Sequence, residues 1–310
     1  MDKKLVIHIG YHKTGTTFLQ NNIFSKTKEI NYLGQPFVNM DIKKFFQDLK
    51  DCHDLLFDKN VFIQRFDRII ANIDQPGKPT LISLESIHSG IDWWGRELVV
   101  MANRIRQVFP NAKILIGIRE QTSYIESLYK EYIVHGGRIN WNYFLYHSHY
   151  FKYHLLPKLY YDKVIELYYY LFKKDNVHVY LHEELKNDAN NTLTLINRFI
   201  GINKSNFEIT SVYEGMSKKQ SELVRFINSI FVIDSSEECH LRNGRYLDFS
   251  RSKKRRKIIK WIRSNLALNS KSKYVTSKDL NFIQELFKDS NSRLSKILNK
   301  ELTLHGYLSK

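Results

Sequence analysis

Short runs of β-branched and aliphatic residues recur along the chain, separated by longer stretches whose apolar positions repeat every three or four residues. This alternation predicts a parallel sheet wrapped by helices, because parallel strands are buried on both faces and need a crossover between them. The runs that read as strands are Leu5 to Ile9, Thr80 to Leu84, Lys113 to Ile118 and Val177 to Leu181. Helical spacing is clearest at Thr17 to Phe24, Val61 to Ile70, Glu97 to Val108, Ser123 to Val134 and Leu155 to Phe172. Gln75-Pro76-Gly77-Lys78-Pro79 is turn chemistry leading into the second of these strands. After about residue 205 the strand pattern stops, and Lys218 to Ile230, Lys254 to Leu266 and Lys278 to Leu298 read as helices between polar loops. The expected organisation is one domain over residues 1–310, with an α/β core to about 205 and a helical extension over about 206–310.

Composition narrows the class. With 43% hydrophobic and 14% aromatic residues in 310, the chain has ample material for a core and is no disordered tract. No apolar run approaches the roughly 18 residues of a spanning helix. The opening MDKKLVIHIG carries an apolar stretch too short for a secretory leader, so it reads as a buried strand and a cytoplasmic location is expected. Lys and Arg number 48 against 32 Asp and Glu, a net +16 that draws anions: nucleotides, acidic polymers or anionic headgroups. Cys52 and Cys239 form no CxxC pair, which argues against a cysteine-rich zinc site or disulfide scaffold and fits a reducing compartment. The basic run Arg251 to Lys257, followed by Ile258, Ile259 and Trp261, reads first as a solvated helix face. Nuclear targeting or a nucleic-acid patch is the sharper alternative; nucleic acid is not the expected partner, and the net charge is compatible with peripheral membrane contact. His147, His149 and His154 sit among Tyr146, Tyr150, Phe151 and Tyr153 with no carboxylate at ligand spacing, so aromatic packing is expected there and no metal.

The stretch Ile7-His8-Ile9-Gly10-Tyr11-His12-Lys13-Thr14-Gly15-Thr16-Thr17 places a glycine-bounded loop between a buried strand and a helix. Such loops bind phosphate-like anions, because their amides turn inward and the helix contributes its positive end. The spacing is P-loop-like: Gly10 and Gly15 match the ATPase pattern GxxxxGK[ST] and Thr17 fills its hydroxyl position, but Thr16 replaces the lysine, which has moved inside the loop to Lys13. The strand Lys113 to Ile118 leads into Arg119, where an ATPase commonly carries a magnesium-holding aspartate. Together these differences imply a nucleotide handled by protein cations.

His12-Lys13-Thr14-Gly15-Thr16-Thr17-Phe18-Leu19-Gln20 resembles the 5'-phosphosulfate loop of sulfotransferases that use 3'-phosphoadenylyl sulfate (PAPS). Ile118-Arg119-Glu120 through Ser127 resembles their 3'-phosphate motif, VHVYLHEELK at Val177 to Lys186 their acidic turn, and Glu285 to Leu294 the tail of bacterial members. The resemblance, to bacterial carbohydrate-type sulfotransferases, implies PAPS as sulfuryl donor, held by Thr14, Gly15, Thr16 and Thr17 at the 5' end and by Arg119 and Ser127 at the 3' end. It further implies that Lys13 offsets charge on the departing phosphate. Direct displacement by an acceptor hydroxyl also needs a base. Glu85, at the carboxyl end of the strand from Thr80, resembles the catalytic glutamate of glycan sulfotransferases; His88 is the rival, matching the small-molecule branch; a purely structural role for both stays open. Trp93-Trp94 could stack on a sugar or pack in a loop. The implied acceptor is a carbohydrate hydroxyl, with a phenol or lipid as alternative, and a non-catalytic binder of acidic polymer as the reading from another class.

Overall fold

Five strands form one parallel sheet in the order β2-β3-β1-β4-β5. They are β1 Leu5–His8, β2 Asn31–Gly34, β3 Thr80–Ser83, β4 Lys113–Ile118 and β5 Val177–Leu181. The computed structural model describes residues 4–36, 39–71, 77–84, 97–203, 215–231, 253–265 and 273–309. All four expected strands are present; Ile9 and Leu84 lie one residue past the ladder, although Ile9 N still donates to Leu115 O at 2.9 Å. The fifth, β2, escaped the sequence reading because NYLG is a four-residue edge strand ending in glycine, with no extended apolar run to mark it.

Burial explains why these runs are strands. Ile7, Ile82, Ile114, Ile116 and Val179 point into one core layer, whereas Val6, Leu81, Leu115 and Tyr180 point into another on the opposite face. Both faces are therefore covered, as period-two alternation of a buried parallel sheet requires.

Helices enclose the sheet. Helix α1 (Thr16–Phe18) widens into a π turn, Leu19–Ile23, and a 3-10 turn, Phe24–Lys26, so the helix expected to Phe24 is regular for only one turn. The amphipathic α2 (Met40–Asp51), not anticipated, starts where Asn39 accepts from the amides of Asp41 and Ile42, and buries Ile42, Phe45, Phe46 and Leu49. Then come α3 (Lys59–Ala71), α4 (Glu97–Val108), α5 (Gln121–Val134) and α6 (Trp141–Tyr146). The helix expected over Leu155 to Phe172 is broken: a π turn, Phe151–Leu155, and a 3-10 turn containing Pro157, Leu156–Leu159, precede α7 (Tyr161–Phe172), since proline supplies no amide to an α-helix. After β5 follow α8 (His182–Asn187) and α9 (Ala189–Ile200). His149 and His154 sit against each other and against the rings of Tyr153 and Tyr150.

Beyond residue 205 the described segments are α10 (Lys218–Phe231), α11 (Lys253–Asn265) and α12 (Ser277–Leu298). Ile283, Phe287 and Leu294 of α12 belong to the same core as β1 and β4. Polar pins fix its register. Asp162, fully buried in α7, accepts from the Ser290 hydroxyl and from Arg293 Nε at 2.7 Å. Asn291 and Gln121 exchange amide hydrogen bonds at 2.7 and 3.2 Å. The residues that resemble the bacterial tail motif thus hold α12 to α5 and α7. Among the described residues no helix is long and apolar enough to cross a membrane.

Candidate active site

The carboxyl ends of β3, β1, β4 and β5 align, and on one face their last inward positions are Ser83, His8, Gly117 and Tyr180. His8 Nδ1 lies 2.8 Å from Ser83 Oγ, and His8 Nε2 lies 3.1 Å from the Tyr180 hydroxyl. Tyr180 reaches β1 from two strands away by crossing Gly117, where a Cβ would sit 2.3 Å from its ring. Gln20, from the π turn, donates to Ser83 O and Oγ at 3.2 and 3.0 Å. All four polar side chains are buried. They make a satisfied polar floor directly beneath the glycine-bounded loop, which locks the loop's two anchors, β1 and the start of α1, together.

The loop itself is shaped by left-handed residues. Gly15 has φ +90° and Lys13 φ 63°, the latter a conformation that a lysine adopts only when its surroundings hold it. Tyr11 O accepts from the hydroxyls of Thr14 at 2.6 Å and Thr16 at 3.4 Å, and the Tyr11 hydroxyl donates to Lys158 O at 2.7 Å. The Thr14 and Thr16 side chains are buried and spent on the loop's own closure, so any anion they serve would be met by their amides. Lys13 and Thr17 stand exposed.

Arg119 follows β4 and joins this loop. Its Nη1 donates to Lys13 O at 3.1 Å and its Nε to Ser123 Oγ at 2.9 Å. The structure therefore brings together the two motifs that the sequence kept more than a hundred residues apart. Ser127, expected with Arg119 at the 3'-phosphate, lies one turn beyond Ser123 on α5 and is half-buried. Neither nearby carboxylate forms an ion pair with Arg119: Glu120 caps α5 by accepting from the amides of Thr122 and Ser123, and Glu126 pairs with Lys130 at 2.8 Å. Lys13 Nζ is instead 3.4 Å from Glu131 Oε1. Glu85, His88, Trp93 and Trp94 lie outside the described residues, as does Cys239; β3, which carries the chain toward Glu85, ends at Ser83 on the polar floor.

Two further residues line the loop from α8. His182 Nδ1 is buried without a hydrogen-bond partner, 3.6 Å from where a Gly15 Cβ would be. Burial, reinforced by the Arg119 charge, pushes its imidazole down to about 4, so it stands neutral beside the loop. Glu183 accepts from Glu120 N at 3.0 Å, and burial raises its carboxyl above the ordinary value. Glu184 pairs with Lys300. The acidic turn after β5 therefore ties β5, the start of α5 and the C-terminal segment together. Sequence reading marked this turn but not His182, whose position depends on the β4–β5 pairing.

No curated protein matches the chain. Solved structures similar to it include a sulfotransferase from Alicyclobacillus acidocaldarius, at 17% identity and TM-score 0.46, covering 81% of this chain and 100% of that one. A mouse sulfotransferase complexed with PAP is 14% identical at TM-score 0.37, covering 96% and 89%. The sulfotransferase domain from the Curacin biosynthetic pathway is 15% identical at TM-score 0.39, covering 66% and 75%. The sulfotransferase domain family matches residues 3–289, nearly the whole length. A P-loop-like α/β sheet with a lysine inside its loop and an arginine bonded back onto that lysine belongs, in this chain, to the sulfotransferase family.

Proposed function

We propose that this sulfotransferase moves a sulfuryl group from PAPS to a carbohydrate hydroxyl, acting as one domain over residues 1–310, with the core to about 205 and the helices of 206–310 as its extension. In this reading the amides of Thr14, Gly15, Thr16 and Thr17 hold the 5'-phosphate, and Arg119 with Ser127 holds the 3'-phosphate. The acceptor oxygen attacks sulfur as the sulfur–oxygen bond to the phosphate breaks; Glu85 takes the acceptor's proton, and 3',5'-adenosine bisphosphate departs. Lys13 offsets the charge that builds on the leaving phosphate. No metal is assigned a role. The observation that carries the reading is the Arg119–Lys13 hydrogen bond, in which the guanidinium holds the main chain of Lys13 and so ties the two motifs together at the carboxyl edge of the sheet, where ligands of such folds bind.

Support for a carbohydrate acceptor is the likeness of Glu85 to the glutamate of the glycan branch and the net charge of +16, which suits a cell-surface polysaccharide or its lipid-linked precursor. A cytoplasmic setting suits the cysteine usage, Cys52 and Cys239 forming no CxxC pair or disulfide framework. Two measurements test the whole. Calorimetry should find 3',5'-adenosine bisphosphate bound about 10- to 150-fold more tightly than 5'-AMP, the effect of one charge-assisted contact of roughly 1.5 to 3 kcal/mol. Arg119→Ala should erase most of that preference, and EDTA should leave it intact. Equal affinities, or a requirement for Mg²⁺, would overturn the donor assignment. A screen of glycans, phenols and lipids with radiolabelled PAPS then decides the acceptor.

A further inference from the structure

Helix α5 carries Ser123, Ser127 and Glu131 at i, i+4 and i+8, so the three share one face. Ser123 meets Arg119 and Glu131 meets Lys13. The row extends about 12 Å at 1.5 Å per residue, from the cation assigned to the donor's 3' end to the cation assigned to the reacting end. Glu131 belongs to neither motif that the sequence marks, yet its surroundings are specific. Its side chain is 16% exposed; Oε1 faces the Lys13 ammonium at 3.4 Å, and Oε2 is buried without a hydrogen-bond partner. A carboxylate gives up that much hydration only where a neighbouring charge compensates it, and Lys13 is the cation facing it.

Lys13 needs such a neighbour. Its backbone is held at φ 63° with its carbonyl bonded to Arg119, but its four-carbon stem is 39% exposed and would otherwise sample many rotamers. Arg119 thus fixes the lysine's main chain, and Glu131 fixes its ammonium. We propose that Glu131 is the positioning residue of Lys13. It touches no reacting atom; it aims the ammonium over the loop, so that the cation is in place as the sulfuryl group leaves. The proposal rests on Lys13 acting as the charge partner of the departing phosphate.

The test has two readouts. The first is competitive acetylation of the folded protein, followed at Lys13 by mass spectrometry. Glu131→Gln should label Lys13 about 3- to 10-fold faster than wild type, the size of one partly screened ion pair at this separation, while Glu131→Asp falls between. The second is sulfuryl transfer from radiolabelled PAPS, to the acceptor found by the screen or otherwise to water. Glu131→Gln should lower turnover about tenfold, as misaiming one transition-state cation does, with the KM for PAPS unchanged and Glu131→Asp partly restored. Because Glu131 acts through Lys13, Lys13→Ala/Glu131→Gln should be no slower than Lys13→Ala alone. Wild-type labelling of Lys13 in both Glu131 variants would overturn the proposal, and so would losses that add in the double variant. If Lys13→Ala itself keeps wild-type turnover, the assigned chemistry of Lys13 fails, whereas the labelling still reports whether Glu131 orders it.

Discussion

Replacing Gly117 by alanine should unsettle the floor under the loop without touching any exposed residue. Gly117 is not among the residues with left-handed φ, so its need for glycine is steric. A Cβ there would lie 2.3 Å from both Cζ and the hydroxyl oxygen of Tyr180 and 2.9 Å from Thr14 Oγ1. Tyr180 is 1% exposed and Thr14 fully buried, so neither can swing into solvent. The ring must slide within its layer, and its 3.1 Å contact to His8 Nε2 is then lost. Overpacking of this kind costs about 1–3 kcal/mol, and a buried nitrogen left without its partner costs about 1–3 kcal/mol more. The expected loss is therefore about 2–6 kcal/mol, a large share of the roughly 5–15 kcal/mol that holds a typical protein folded. Urea denaturation followed by circular dichroism measures it, provided that the m-value is unchanged. Tyr180→Phe in the wild-type background should cost only the hydrogen bond, about 1–2 kcal/mol. In the Gly117→Ala background the same change should relieve part of the clash, because the hydroxyl goes and Cζ remains. If Gly117→Ala lies within about 0.5 kcal/mol of wild type, the range of a neutral surface change, Tyr180 is not packed as described and the floor does not order the loop.

The proposed base is tested by Glu85→Gln, which keeps shape but accepts no proton and should slow transfer by roughly 10²- to 10⁴-fold with nucleotide affinity unchanged; a silent Glu85→Gln beside a large loss in His88→Ala would move the base to His88 and favour a small-molecule acceptor. Asp162→Ala should cost about 2–4 kcal/mol in urea denaturation, since Ser290 and Arg293 lose a buried acceptor; Asp162→Asn should lose less, and equal losses would mean that the charge, not the acceptor geometry, matters. Burial pushes both His178 and His182 down to about 4 from 6.5, with Lys300 and Arg119 adding to the respective shifts. The unfolded imidazoles take up protons that the folded ones refuse, so stability should fall as pH drops from about 6.5 toward 4. His178→Gln and His182→Gln should each flatten that fall; an unchanged slope would show that the imidazoles are not held neutral.

Four of the five strands and the loop were legible in the sequence because their causes are local. A strand buried on both faces must be a short apolar run, and a loop that closes around an anion must have glycine or another left-handed residue at fixed spacing. Lys13 and Gly15 could therefore be singled out from residue type and loop spacing, and Arg119 from its place at a strand end together with the family resemblance. What regular periodicity could not reveal is where it fails: the π turn at Leu19–Ile23 and the Pro157 turn before α7 have apolar positions that still scan as helix. Nor could it say which distant side chains meet. His8 bonds to partners 75 and 172 residues away, and Ser290 to one 128 residues away. Those meetings depend on β1 lying between β3 and β4, on the absence of a side chain at Gly117, and on α12 folding back onto α5 and α7. The contact of Ser123 with Arg119, and the pairing of Lys13 with Glu131, belong to the same class: helical spacing puts Ser123, Ser127 and Glu131 on one face of α5, and only the docking of that helix against the loop decided which of them each cation touches.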